Sequence, residues 1–162
     1  DRVCLKIVGD VFGKERVWLE KEIIVRGLQD NIIRTGWLPY EEVGEAMRDC
    51  HVGLILFREC MENCLAGPPN KLFNYMNAGL PVLSVDFPEM HRIIKEENCG
   101  ILISGQSVDA IVEAIEKLLA NPLELQKMGE AGQRAIRERY SWEQMERYLL
   151  SAYENLSRKL QK

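Results

Sequence analysis

The chain has 162 residues, 46% of them hydrophobic and 28% charged, which fits one globular domain and excludes a disordered segment. Asp plus Glu number 25 against 21 for Lys plus Arg, and the net charge of −4 argues against a binder of nucleic-acid backbone. No apolar run approaches the roughly 18 residues of a membrane span, and no basic-then-apolar leader opens the chain.

Val3 to Val8 is rich in β-branched residues and ends in Gly9-Asp10, a strand followed by a turn. From Lys14 to Leu28 the apolar residues Val17, Trp18, Ile24 and Leu28 recur at helical spacing. Asn31 to Thr35 reads as a second strand, stopped by Gly36, and a helix is expected from about Glu41 to Asp49. Val52 to Phe57 is a continuous apolar run, the pattern of a strand covered on both faces. A loop with Gly67, Pro68 and Pro69 precedes a helix from Asn70 to Ala78, which Gly79 ends. Pro81 to Val85 is the next strand, Pro88 to Glu97 a helix with Pro at its start, and Gly100 to Ser104 a last strand. Helices over Ser107 to Ala120, Pro122 to Arg139 and Ser141 to about Leu160 close the chain, and Ser141 with Gln144 suits a capping box.

Strands alternating with helices, and too apolar for a half-exposed sheet, predict an α/β fold with a doubly wound parallel sheet flanked by helices. Ligands on such sheets sit at the carboxyl ends of the strands. That places the chemistry in the loops after Val8, Thr35, Phe57 and Val85.

The five cysteines (Cys4, Cys50, Cys60, Cys64, Cys99) are scattered. Cys60 and Cys64 are four apart, but no second pair follows, so no zinc or other metal site is expected and the thiols read as small apolar fillers of a reduced protein. Gly9 to Gly13 is either an ordinary strand-to-helix turn or part of a ligand pocket, since it departs from the GxGxxG pattern. The stretch from Gly67 to Val82 is a Gly/Pro loop, a helix start, a short helix, a glycine stop and a buried strand. Exposed amides at residues 70 to 73, with Lys71, would form an anion site there. The alternative is that Asn70 only caps the helix while Lys71 faces solvent. Trp37 and Phe57 either flank a ligand or fill the core.

Several stretches, in order, resemble the C-terminal, donor-binding domain of retaining glycosyltransferases of GT-B fold, the group 1 or family 4 type. They are Leu5 to Asp10 (LKIVGD), Ile32 to Pro39 (IIRTGWLP), Asp49 to Leu56, Pro69 to Phe73 with Gly79 to Val82, Asn98 to Ile103, and Tyr140 to Glu143 (YSWE). The match runs over essentially the whole chain. It implies a Rossmann-like half of a GT-B fold with C-terminal helices, acting on a nucleoside diphosphate sugar with no separate cofactor and no metal. Gly9 and Asp10 would approach the nucleotide or its phosphates, and Gly36, Trp37 and Leu38 would face the base. Pro69, Asn70, Lys71 and Leu72 would hold the diphosphate, with Asn74 near the ribose. No catalytic residue is assigned.

The family often carries two glutamates eight positions apart, where this sequence has Ala66 and Asn74, so both carboxylates are missing. The family's domain also begins with a further strand and helix, bearing an Arg and a Lys for the diphosphate, that nothing here matches. The expectation is therefore a single domain over residues 1–162 lacking its first strand–helix unit, with the N-terminal acceptor domain absent and the chain alone inactive. The central strand then lies outside this sequence, the sheet has closed up, or a second copy completes it as a homodimer. The expected partners are a nucleotide sugar and a glycan or lipid-linked acceptor, with no nucleic acid. The expected location is the cytoplasm or the cytoplasmic face of a membrane. A sugar-nucleotide epimerase of the same fold and a degenerate, non-catalytic interaction domain are the rivals.

Overall fold

The computed structural model describes residues 3–57 and 67–160. The chain falls into two compact units, residues 1–50 and 51–162. Parallel sheets flanked by helices make up both, as the alternation of elements predicts. Among the described residues no helix is long and apolar enough to cross a membrane.

The first unit pairs β1 (Leu5–Ile7) with β2 (Ile32–Arg34) in parallel, Leu5 opposite Ile32 and Ile7 opposite Arg34. The helix α1 (Gly13–Val25) makes the crossover, and α2 (Tyr40–Ala46) follows β2. Leu28, expected inside α1, lies beyond it. Gly27 at φ 65° donates to the carbonyl of Ile24, and the Leu28 amide returns to Ile23, so a left-handed glycine closes the helix. The apolar positions of α1 do not form a buried face: Val17, Trp18, Ile24 and Val25 are all exposed. Lys6 ties β1 to the end of α2, giving its ammonium to the carbonyl of Ala46 at 3.1 Å and the carboxylate of Asp49 at 2.5 Å.

The second unit holds the hydrophobic core. Its sheet runs β3 (Gly53–Ile55), β4 (Val82–Val85), β5 (Gly100–Ile103), all parallel. Every residue of β4 is buried, as a middle strand covered on both faces must be. Between the strands lie α3 (Asn70–Asn77) and α4 (Pro88–Glu97), and after them α5 (Val108–Leu119) and α6 (Pro122–Ala135). Helix α3 buries Leu72 and Met76, one turn apart, and α4 buries Met90, Ile93 and Ile94. Both join Ile55, Val82, Leu83 and Val85 in one cluster. Gly79 (φ 74°) ends α3 with the Leu80 amide on the carbonyl of Tyr75.

The expected long helix to Arg139 stops at Ala135 and gives way to a π-helical turn, Ile136–Tyr140. That turn faces Tyr140 inward, where its ring meets Phe73 at 5.4 Å and its hydroxyl donates to Glu97 at 3.2 Å. The last helix, α7 (Trp142–Leu160), is capped by half of the expected box. The Ser141 hydroxyl accepts from the Gln144 amide, but the Gln144 side chain donates to Arg137 instead of returning to Ser141.

Candidate functional site

Two places carry the residues singled out in the sequence, one in each unit. In the first, the carboxyl ends of β1 and β2 are closed by an isolated antiparallel bridge between Gly9 and Gly36. Both glycines take left-handed backbone, φ 121° and 70°, which a side chain would strain. The Gly9 amide donates to the Thr35 hydroxyl at 3.2 Å, and that hydroxyl donates to the carbonyl of Gly36 at 2.8 Å. Around them lies a cleft of about 190 Å³ lined by Gly9, Asp10, Val11, Arg16, Arg34 and Gly36. Trp37 is 73% exposed, so it does not fill the core, while Leu38 is half-buried.

Neither Arg16 nor Arg34 is a candidate site residue from the sequence, although Arg34 lies in the stretch Ile32 to Pro39. They are 18 positions apart and meet only because β1 and β2 pair in parallel. Glu20 joins them, accepting from Arg16 Nε at 3.0 Å and from Arg34 Nη1 at 3.1 Å on one oxygen. Those two bonds, Arg16 first, hold its carboxyl below the usual carboxylate range. The available signal was positional: Arg34 is the last residue of β2, and Arg16 is in the first turn of α1.

In the second unit the place is the start of α3, at the carboxyl end of β3. Pro69 is the N-cap, in extended backbone with no side-chain cap bond, so Asn70 does not cap the helix. The Leu72 amide donates to the carbonyl of Pro69 at 3.0 Å, and the Leu72 side chain is fully buried. Where the sequence suggested open amides over residues 70 to 73, Leu72 is thus the anchor of the turn. Among the described residues, no acceptor meets the amides of Asn70 and Lys71. The Lys71 ammonium stands 5.4 Å from the centre of the Phe57 ring, a cation–π contact that keeps it beside the helix start. Phe57 packs against the core cluster and its carbonyl accepts from Gln106. Asn74 is half-buried one turn along from Asn70, on the same face. Ala66, Cys60 and Cys64 lie outside the described residues.

Just after β4, Asp86 Oδ1 lies 2.9 Å from Nδ1 of His91, an exposed pair that the sequence alone did not single out. Among the described residues no group of three or more His, Cys, Asp or Glu side chains is placed to hold a metal ion.

Comparison with known proteins bears on the family and the fold. A family model described as glycosyl transferases group 1 matches residues 1–135. The chain is 23% identical over 136 residues to an MMP alpha-(1->4)-mannosyltransferase of Mycolicibacterium hassiacum, covering 83% of this chain and 32% of that protein. It therefore spans about a third of that relative's length. Among solved structures, sucrose-phosphate synthase of Thermosynechococcus elongatus superposes with a TM-score of 0.69 at 19% identity, over 96% of this chain and 39% of that one. Anabaena HepE, solved in complex with UDP, gives 0.75 at 16% identity, over 94% and 41%.

Proposed function

Because the chain belongs to the glycosyl transferases group 1 family, we propose that it is the part of such an enzyme that binds the sugar donor. The donor is a nucleoside diphosphate sugar, and the reaction transfers its sugar, with retention, to a glycan or lipid-linked acceptor held elsewhere in a longer protein. The family match and the nucleotide in a structural neighbour support the donor class. No observation favours the epimerase reading.

The single observation that carries the site is the start of α3. Two backbone amides without an acceptor among the described residues, the positive end of the helix and the Lys71 ammonium lie together at the carboxyl end of a parallel strand. A departing diphosphate gathers negative charge on its oxygens as the bond to the sugar breaks. Donors already aimed at that charge stabilise it without reorganising. In this reading the Asn70 and Lys71 amides hold the diphosphate, Pro69 and Leu72 fix the turn through the bond from the Leu72 amide to the Pro69 carbonyl, and Asn74 serves the ribose. For the first unit, taken by itself, Gly9, Asp10, Gly36, Trp37 and Leu38 are proposed as contacts to a nucleoside. The proposed location is the cytoplasm or the cytoplasmic face of a membrane.

Lys71→Ala tests this directly, because Lys71 is exposed and its loss leaves the core intact. Binding of a nucleoside diphosphate, measured by calorimetry, should weaken by about 1.5–3 kcal/mol, the range for hydrogen bonds to charged groups. Unchanged affinity would make Lys71 a surface residue resting on Phe57 and remove the diphosphate from this turn.

A further inference from the structure

The cleft of the first unit carries charges that a diphosphate reading leaves unused. Asp10, Arg16 and Arg34 all line it, with Gly9 and Gly36 as its backbone wall. Glu20 takes one N–H from each guanidinium and so holds the two forks in place. Four of the five N–H groups of each arginine remain for other partners. On the glycine wall, nothing lies within 4 Å of where a Cβ on Gly9 would stand, so that side is open to a flat ligand. A Cβ on Gly36 would stand 3.6 Å from Oδ1 of Asp10, which puts the Asp10 carboxylate beside that glycine.

A ligand in this cleft meets one acidic and two basic residues, Asp10, Arg16 and Arg34. A phosphate would gain from the arginines but would meet the charge of Asp10. Uracil offers a single ring N–H between two carbonyls, which serves one of the two Asp10 oxygens. Guanine presents two adjacent donors, N1–H and the N2 amino group, that match both oxygens of a carboxylate. Its O6 and N7 accept from the fork of an arginine. We propose that Asp10 and the arginine pair Arg16 and Arg34 select guanine, so that the donor is a guanosine diphosphate sugar. The proposal rests on the reading of the chain as a donor-binding domain and names the base that this domain takes.

Calorimetry on the full 162-residue chain with GDP, UDP and xanthosine diphosphate tests it. GDP should bind at least about tenfold more tightly than UDP, the discrimination expected of one matched bidentate pair. In Asp10→Asn, GDP should weaken about tenfold while xanthosine diphosphate overtakes it, because the new amide donates to the C2 carbonyl that replaces the guanine amino group. Asp10 is exposed, and gain of a ligand cannot come from misfolding. Arg34→Gln should weaken both purine nucleotides alike. Equal affinity for GDP and UDP, or a preference for UDP, overturns the assignment of guanine and leaves the donor-binding reading standing. Loss of GDP in Asp10→Asn with no gain of xanthosine diphosphate also overturns it. If no nucleoside diphosphate binds, the donor-binding reading falls with it.

Discussion

Cys99, just ahead of β5, is fully buried, and burial pushes its thiol up to about 12. In the unfolded chain the same thiol ionises near its ordinary value of 9.0. Between these values the unfolded chain has released a proton that the native chain keeps. The stability that Cys99 contributes is therefore whole below about pH 9 and is lost as pH rises toward 12. Thermal midpoints measured from pH 8 upward should fall more steeply in the native protein than in Cys99→Ala, whose cavity adds a cost that does not vary with pH. Tyr140 and Cys50 are raised by burial too, but they titrate in both proteins, so the difference between slopes isolates Cys99. Parallel slopes would show that the thiol ionises natively near its ordinary value. At this scale the sequence was informative about identity and poor about pairing. Asn70, Lys71 and Asn74 could be singled out because they sit in one short stretch with a glycine and proline frame. The meeting of Arg16 with Arg34 through Glu20, and of Lys71 with Phe57, depends on chain segments that only folding brings together.

Elements with an unambiguous apolar run or a firm stop were legible: β4, α3 and α4 lie within one residue of expectation because Pro81, Gly79, Pro88 and Asn98 punctuate them. Helix α1 begins within one residue of expectation but ends three residues short of Leu28, because its apolar residues are spread around the axis and mark no end, and the left-handed Gly27 closes it. The close approach of α6 to α3 also left no periodic signal, since glycines and alanines make it. Gly129, Ala131, Gly132 and Ala135 are the buried positions of α6. A Cβ on Gly129 would stand 2.0 Å from the carbonyl oxygen of Gly79, whereas one on Gly132 would meet Met76 Cα at 3.3 Å. Alanine raises helix propensity at both sites, so any loss is steric. Gly129→Ala should cost about 3 kcal/mol or more in chemical denaturation, at or above the upper range of overpacking, because backbone must move. Gly132→Ala should cost clearly less, since a few tenths of an ångström relieve it. Similar losses for the two would mean that α6 slides as one body to admit either methyl group.

The whole chain spans about a third of the relative it matches by sequence, and glycosyl transfer needs donor and acceptor oriented together in a cleft closed to water. The 162-residue chain should therefore bind a donor nucleotide without multiple turnovers of sugar transfer, as followed by release of nucleoside diphosphate. Sustained turnover would place the acceptor site within these residues. The alternation of elements made the parallel α/β architecture legible, whereas the division into two units was not, because no linker or shift in composition marks residue 50. The two units differ in what stabilises them. The second has a continuous core, while among the described residues of the first Met47 is the one buried hydrophobic side chain. With so little apolar burial, the described residues of the first unit are held by backbone pairing and by ion pairs such as Lys6–Asp49 and Arg34–Glu20. If the cleft takes the proposed ligand, occupancy and folding of that unit form one linked equilibrium, in which ligand at 100 times its dissociation constant adds about 2.7 kcal/mol to the folded state. On the proposed reading of that cleft as a nucleotide site, the order of the first unit would rise and fall with nucleotide concentration.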